Sequence, residues 1–351
     1  MNSSRYSAAG VDIDAKAAAL SRAKSAIRST FTPGVLGDVG GFGGLFQPDL
    51  SGFREPVLVA STDGVGTKLK LAFDTGRHDL CGADLVNHCV NDILVQGARP
   101  LFFLDYVATG KLDPDVLRQV IEGIARGCRE NGVALLGGET AEMPGFYAPS
   151  EYDVAGTIVG IVERAKILDG SRVVAGDVAL GLPSAGLHTN GYSLARDVLF
   201  QKLGKRAGDR LAELDGATVG DALLAPHLSY RAALEPLLAE ELVHAMAHVT
   251  GGGFFDNIPR VVPGKFEVVV KAGSWPVPPI FDVIQRGGSV SFSEMHRVFN
   301  MGIGMVVFVA ADSVARVSRL WSEMRQRWYA IGNVRAGSRG VVVEPPQSPE
   351  S

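Results

Sequence analysis

Short apolar runs that stop at glycine and then offer carboxylates set the frame for this chain. Val133 to Leu136 reads as a strand and runs into Gly137-Gly138-Glu139-Thr140-Ala141-Glu142-Met143-Pro144-Gly145. Glycine permits a backbone turn with φ > 0 and the close approach of a ligand or another chain. Two acids around a hydroxyl are costly to hold together unless a cation or a donor network uses them. Pro56 to Ser61, followed by Thr62-Asp63-Gly64-Val65-Gly66-Thr67-Lys68, has the same build. Both stretches predict carboxylates at the rim of a sheet, beside a metal ion or a phosphate.

At 351 residues the chain exceeds what one hydrophobic core usually serves, so two domains are expected. Helices are predicted at Ile13 to Arg28, about Leu80 to Gln96, and from Asp113-Pro114 to Asn131-Gly132, a cap-then-proline start and a glycine stop. Between them lie strands Pro56 to Ser61, Leu101 to Val107, Val133 to Leu136 and Val154 to Val162. In the second half, strands are predicted at Val178 to Leu182, Phe266 to Val270 and Gly304 to Ala310. Helices are predicted at Tyr192 to Leu203, around Phe281 to Arg286, and at Ser313 to Trp328. The alternation predicts an α/β or α+β fold. A boundary near Asp169 to Asp177 divides it into domains 1–170 and 171–343, with a frayed Pro- and Ser-rich tail at 344–351.

A net charge of -4 without a basic stripe argues against a nucleic-acid partner. No apolar run approaches the roughly 18 residues of a membrane span. Residues 1–10 are small and polar, without a signal-peptide core. Cys81, Cys89 and Cys128 make neither a disulfide framework nor a CxxC knuckle and read as buried small hydrophobes. A cytoplasmic protein is expected.

Asp63 suits Mg²⁺, a hard cation that takes oxygen ligands. Gly64 and Gly66 would bring amides to a phosphate and Lys68 a point charge; a plain Asp-Gly turn is the alternative. P-loop spacing is absent. Asp84, Asn87, His88 and Asn91 share one side of a helix, with Asp92 adjacent. Alone this row would be a wet face, yet Asn, Asp and His suit close coordination. His88 reads as hydrogen-bonding a neighbour; Asp92 is the better Mg²⁺ ligand. Glu139 and Glu142 would be satisfied, one or both, by the same ion.

In Ser184 to Tyr192, Thr189 or Asn190 would cap a helix whose amides hold a phosphate, and His188 would touch substrate. Gly251-Gly252-Gly253 opens a helix as an anion nest. Phe299-Asn300-Met301-Gly302-Ile303-Gly304 places small residues at a strand entry, a weak signal by itself. No G-x-S-x-G elbow and no dinucleotide fingerprint appear. The inventory fits phosphates plus Mg²⁺.

As an ordered set these motifs resemble one family, phosphoribosylformylglycinamidine cyclo-ligase, also called AIR synthetase. The resemblance runs from Gly10-Val11-Asp12-Ile13-Asp14 and Gly40-Gly41-Phe42-Gly43 through Thr62 to Lys68, Val90-Asn91-Asp92, Phe102 to Tyr106 and Gly137 to Gly145. It continues through Asn190 to Leu194, His248 to Pro259 and Phe299 to Met305. It implies a two-domain α/β protein that forms a homodimer through a barrel shared by the N-terminal domains. It implies ring closure of formylglycinamidine ribonucleotide (FGAM) to aminoimidazole ribonucleotide (AIR) with ATP, Mg²⁺ and K⁺, through an iminophosphate. Asp63, Asp92 and Glu139 would hold Mg²⁺-ATP, with Gly64, Thr67 and Lys68 on the phosphates and Gly41 and Gly43 over the nucleotide. Lys24 matches a lysine placed near ATP, with a helix-surface lysine as the alternative. His188, Asn190, Gly251, Gly252, Gly253 and Asn300 would hold the substrate; Asp63, Asp92 and His188 would be catalytic. Two departures stand out. Ala8 sits where the family has an acid, and Ala185-Gly186-Leu187-His188 stands for Ser-Gly-Pro-His.

Overall fold

The computed structural model describes residues 13–338 and 340–346. Ala8 and the Gly10-Val11-Asp12 motif lie outside the described residues, as do residues 347–351 of the expected tail. The chain forms two compact units, Met1–Ile93 with Ala98–Ala165, and Leu94–Gly97 with Lys166–Ser351.

The N-terminal unit is built on a four-stranded sheet, β1 Pro56–Gly64, β2 Arg99–Thr109, β3 Ala134–Glu142 and β4 Tyr152–Glu163, in the order β1-β4-β2-β3. β4 runs antiparallel to β1 and β2, whereas β2 and β3 are parallel. Parallel neighbours need a crossover, here a helix. Its helices are α1 Ile13–Arg28, α2 Leu69–Thr75, α3 His78–Leu94 and α4 Pro114–Glu130. α4 starts as expected: Asp113 Oδ1 accepts from the amides of Asp115 and Val116 at 2.9 and 3.2 Å. α3 and α4 pack backbone to backbone, because a Cβ at Gly123 would lie 1.9 Å from the Asp79 carbonyl oxygen. All three cysteines are buried and free, and burial raises their thiol pKa values.

The polar row of α3 is no wet face, as its Asn, Asp and His composition suggested: Asp84, Asn87, His88 and Asn91 are all buried. One expectation fails here, because the strands do not stop at their glycines. β1 continues to Gly64 and β3 to Glu142. A Cβ at Gly138 would lie 2.2 Å from Asp105 Oδ1, so the neighbouring side chain takes the place of a missing one and the ladder carries on. The face of the sheet that α3 does not cover is apolar and open: Leu58 is 65% exposed, Leu104 36% and Tyr106 41%.

The C-terminal unit holds a six-stranded sheet of β5 Val178–Pro183, β6 Val243–His248, β7 Phe266–Lys271, β8 Ile303–Val309, β9 Tyr329–Ala336 and β10 Gly340–Glu344. Their order is β10-β7-β9-β5-β8-β6, with β8 buried along its whole length. β6, β9 and β10 were not expected. Glu344 pairs with Lys271, so the chain at 344 is strand and not frayed tail. The expected long helix is only Val314–Glu323, because Arg325 turns the chain with φ 55°. The helix expected at Tyr192 to Leu203 is a short α-helix, Tyr192–Arg196, continued by a wider π turn, Asp197–Lys202.

Candidate active site

In the N-terminal unit, Asp63 lies one residue from the end of β1 and Asp92 on α3, and His88 joins them. His88 Nε2 is 2.9 Å from Asp63 Oδ2 and 3.8 Å from Asp92 Oδ2. Asp63 Oδ1 accepts from the Gly64 amide at 2.7 Å, and Ser61 Oγ donates to Asp92 Oδ2 at 3.2 Å. Burial opposes a charge on His88, but the Asp63 hydrogen bond and the charges of Asp92, Asp63 and Asp84 outweigh it and raise its pKa. Two half-buried carboxylates beside a hydroxyl are hard oxygen donors of the kind Mg²⁺ takes. His88 hydrogen-bonds a neighbour, as its residue type alone suggested.

Lys68 corrects an expectation. It is fully buried and its ammonium lies 2.6 Å from Asp84 Oδ2, itself 1% exposed, so it does not extend from the Gly64–Thr67 turn as a phosphate ligand. Gly66, with φ 65°, and Thr67 are the exposed part of that turn. Glu142 is likewise occupied, accepting from the Leu112 amide at 2.7 Å.

Glu139 stands apart from the two aspartates. Asp63, Gly156, Asp105 and Gly138 form one row across the sheet, and Glu139 belongs to the next, paired with Tyr106. Side chains alternate faces along a strand, so Glu139 projects away from the Asp63 face. β3 and β1 are opposite edges, roughly 14 Å apart at ~4.8 Å per strand step. One chain therefore gathers Asp63 and Asp92 but not Glu139. Glu139 instead shares a cavity of about 820 Å³ with Asp105, Gly137, Gly138 and the glycine loop Gly40–Gly44. The loop ends tightly on β3, since a Cβ at Gly44 would lie 2.4 Å from Leu136 Cγ. At its base, Asp38 receives the Arg28 guanidinium and lies 3.5 Å from Lys24 Nζ. The Arg28 hydrogen bond and the Val39 amide hold the Asp38 carboxyl well below the usual range. Lys24 thus lies beside the base of the loop, on a helix. Burial pushes Asp105 up to about 7, with the charge of Glu139 adding to it.

In the C-terminal unit, His188 is buried with a left-handed backbone, φ 62°. Its ring stacks on His227 at 4.2 Å, and His227 Nε2 lies 3.1 Å from His248 Nε2. Neither His227 nor His248 was expected to matter, because 188, 227 and 248 follow no ligand spacing. Asn190 sits beside Gly251, where an added Cβ would lie 3.3 Å from Asn190 Oδ1. The cap of Tyr192–Arg196 is Gly191, without a side-chain bond, so neither Thr189 nor Asn190 caps that helix. Gly251–Gly253 does open a helix, Gly253–Asn257, and Asn257 Nδ2 reaches back to the carbonyls of Gly251 and Gly253 at 3.2 and 2.8 Å. Asn300 is a pin and not an open ligand group: it is buried, accepts from Ser184 Oγ and the Gly302 amide, and donates to the Gly186 carbonyl. Gly304 accommodates side chains, not a ligand, since a Cβ there would lie 2.0 Å from Tyr230 Oη.

Residues 53–162 match the family of AIR synthase related proteins, N-terminal domain, and residues 174–344 match its C-terminal domain. A phosphoribosylformylglycinamidine cyclo-ligase of Bifidobacterium animalis is 51% identical over 329 residues, 94% of this chain and 96% of that protein. One from Nitratidesulfovibrio vulgaris is 53% identical over 332 residues, 95% of this chain and 94% of that protein. The chain belongs to the phosphoribosylformylglycinamidine cyclo-ligase family. Solved structures extend the likeness at the level of the fold. Thiamine-monophosphate kinase from Stenotrophomonas maltophilia superposes with a TM-score of 0.69 at 19% identity, covering 94% of this cyclo-ligase family member and 97% of that chain. Hydrogenase maturation protein HypE in complex with ATP gives 0.62 at 20% identity, covering 91% and 88%. The cyclo-ligase family is thus carried on a two-domain α+β architecture shared with proteins of other activities, so the fold alone does not assign a reaction.

Proposed function

We propose that this chain converts FGAM and ATP to AIR, ADP and phosphate. Family membership supports the reaction class. The observation that carries the site is the meeting of Asp63 and Asp92 around His88. Asp63 and Asp92 would hold Mg²⁺, which would supply charge neutralisation at the nucleotide phosphates. The formyl oxygen takes the γ-phosphoryl group and ADP leaves; the resulting iminophosphate has a better leaving group than the amide oxygen. The substrate's own nitrogen then attacks that carbon, the C–O bond breaks, and phosphate departs. Tethering makes the second step effectively unimolecular, so the protein's task is positioning and charge neutralisation. Gly41 and Gly43 cover the nucleotide, Gly64 and Thr67 face its phosphates, and Lys24 acts through Asp38. His188, Asn190 and Gly251–Gly253 hold the ribose phosphate. K⁺ as a second cation rests on the family alone.

The open face around Leu58, Leu104 and Tyr106 supports a homodimer in which two sheets bury each other's apolar side. A metal role for Glu139 requires that second copy, because β1 and β3 are opposite edges of one chain's sheet. A cytoplasmic enzyme without nucleic-acid or membrane partners completes the proposal; among the described residues no helix is long and apolar enough to cross a membrane.

A coupled assay tests it. Purified protein with FGAM, ATP and Mg²⁺ is expected to form AIR and phosphate one for one. A sibling small-molecule kinase on the same fold is the alternative that the assay distinguishes. It would leave the phosphoryl group on its product and release no phosphate.

A further inference from the structure

Resting on the magnesium-nucleotide reading of Asp63 and Asp92, we propose that Lys68 and Asp84 are positioning residues. Their buried ion pair fixes the Gly64–Thr67 turn, and with it Asp63, against the helix that carries Asp92. The two aspartates come from different elements, β1 and α3. One cation meets both only if the end of β1 keeps a set distance from α3. At the open side of the site, His88 Nε2 lies 2.9 Å from Asp63 Oδ2, and Ser61 Oγ donates to Asp92 Oδ2 at 3.2 Å. A metal ion on those carboxylates competes with both contacts. Behind them, Lys68 Nζ lies 2.6 Å from Asp84 Oδ2, with 0% and 1% of the side chains exposed. Asp84 is no candidate ligand, so this tie is the same with and without the ion.

Placement in the chain suits that task. Lys68 closes the short 3-10 turn Gly66–Lys68 and leads into α2. Val65 before the turn and Leu69 after it are buried as well, so exposed Gly66 and Thr67 stand on a buried base. Asp84, His88 and Asp92 follow at i, i+4 and i+8 along one side of α3, so the helix relates the pair directly to the site. Stability does not account for the pair. Removing two charges from water costs about what their attraction returns, and packed apolar residues of similar volume often serve as well or better. Apolar packing fills the volume but sets no donor–acceptor distance, whereas the ion pair does.

Lys68→Met combined with Asp84→Leu removes both charges at similar volume and strands neither. The full-length double variant is expected to keep a cooperative thermal melt. Calorimetry should show its Mg²⁺-dependent ATP affinity weakened about tenfold, and kcat should fall on the order of 100-fold with KM for FGAM unchanged. A purely structural pair would move the melt alone, so parental ATP affinity and kcat in the folded double variant overturn the proposal. If the double variant fails to fold, Asp84→Glu decides. It keeps both charges but lengthens the tie by a methylene, and an unchanged kcat overturns the proposal. A parent protein without Mg²⁺-dependent ATP binding would overturn the nucleotide reading and this proposal together; a parent that binds beside a double variant that binds equally well overturns this proposal alone.

Discussion

Two glycine-rich segments, Gly40–Gly44 and Gly251–Gly253, look alike as sequence and are built differently. The first is exposed and is held at its ends, through Asp38 on Arg28 and Lys24 and through Gly44 against Leu136. Its tip residue Phe42 is fully exposed. The second is locked. Gly252 and Gly253 have φ of 93° and 57°, and Asn257 ties the run to its own helix. Glycine in the first serves an exposed segment with open space around Gly40 and Gly43. In the second it serves a fixed, close-packed turn whose amides keep one orientation. Glycine content reports permission; the surrounding contacts decide whether it becomes motion or precision.

The contrast breaks most visibly at Gly253. A Cβ there would lie 2.0 Å from the His296 carbonyl oxygen, and φ is left-handed. Gly253→Ala is expected to cost about 3 kcal/mol or more and to lower the yield of folded protein, measured by denaturant titration. Asn257→Ala comes next. It removes the buried amide that bonds the Gly251 and Gly253 carbonyls and should cost about 1–2 kcal/mol in the same titration. In the cavity beside the first loop, Asp105 gives a pH-dependent effect. Its folded-state pKa, about 7, lies above the ordinary carboxyl value. The native state therefore holds a proton that the unfolded chain releases, and stability falls as pH rises from the ordinary carboxyl range to about 7, then levels. Asp105→Asn should flatten that fall, so its melting temperature gains on the parent more at pH 8 than at pH 4.5. The smallest effect belongs to Gly43→Ala. Nothing lies within 4 Å of a Cβ there, so stability should change by less than about 0.5 kcal/mol while KM for ATP rises.

The helices were legible where their ends carry local chemistry. Asp113, Pro114 and Gly132 mark α4 because capping is decided within a few residues. β3 was cut short because its glycines read as an end, whereas Asp105 on the next strand fills the gap. β6 hid because His244-Ala-Met-Ala-His248 lacks the β-branched residues that advertise a strand. In the site, Asp63 and Asp92 could be read from residue type at element ends. The burial of Lys68 could not, because it depends on Asp84 from another helix. Asn300 was misread for the same reason: its partners Ser184 and Gly186 are remote in sequence. The separation of Glu139 from Asp63 follows from strand order, which local pattern does not encode.

The central claim is that Asp63 and Asp92 hold the magnesium nucleotide. Its most direct test is calorimetric Mg²⁺-ATP binding by Asp63→Asn alongside AIR formation and a thermal melt. We predict a loss of turnover on the order of 100-fold or more, with Mg²⁺-dependent ATP binding weakened and a cooperative melt retained. Turnover and binding close to those of the parent protein would contradict the account.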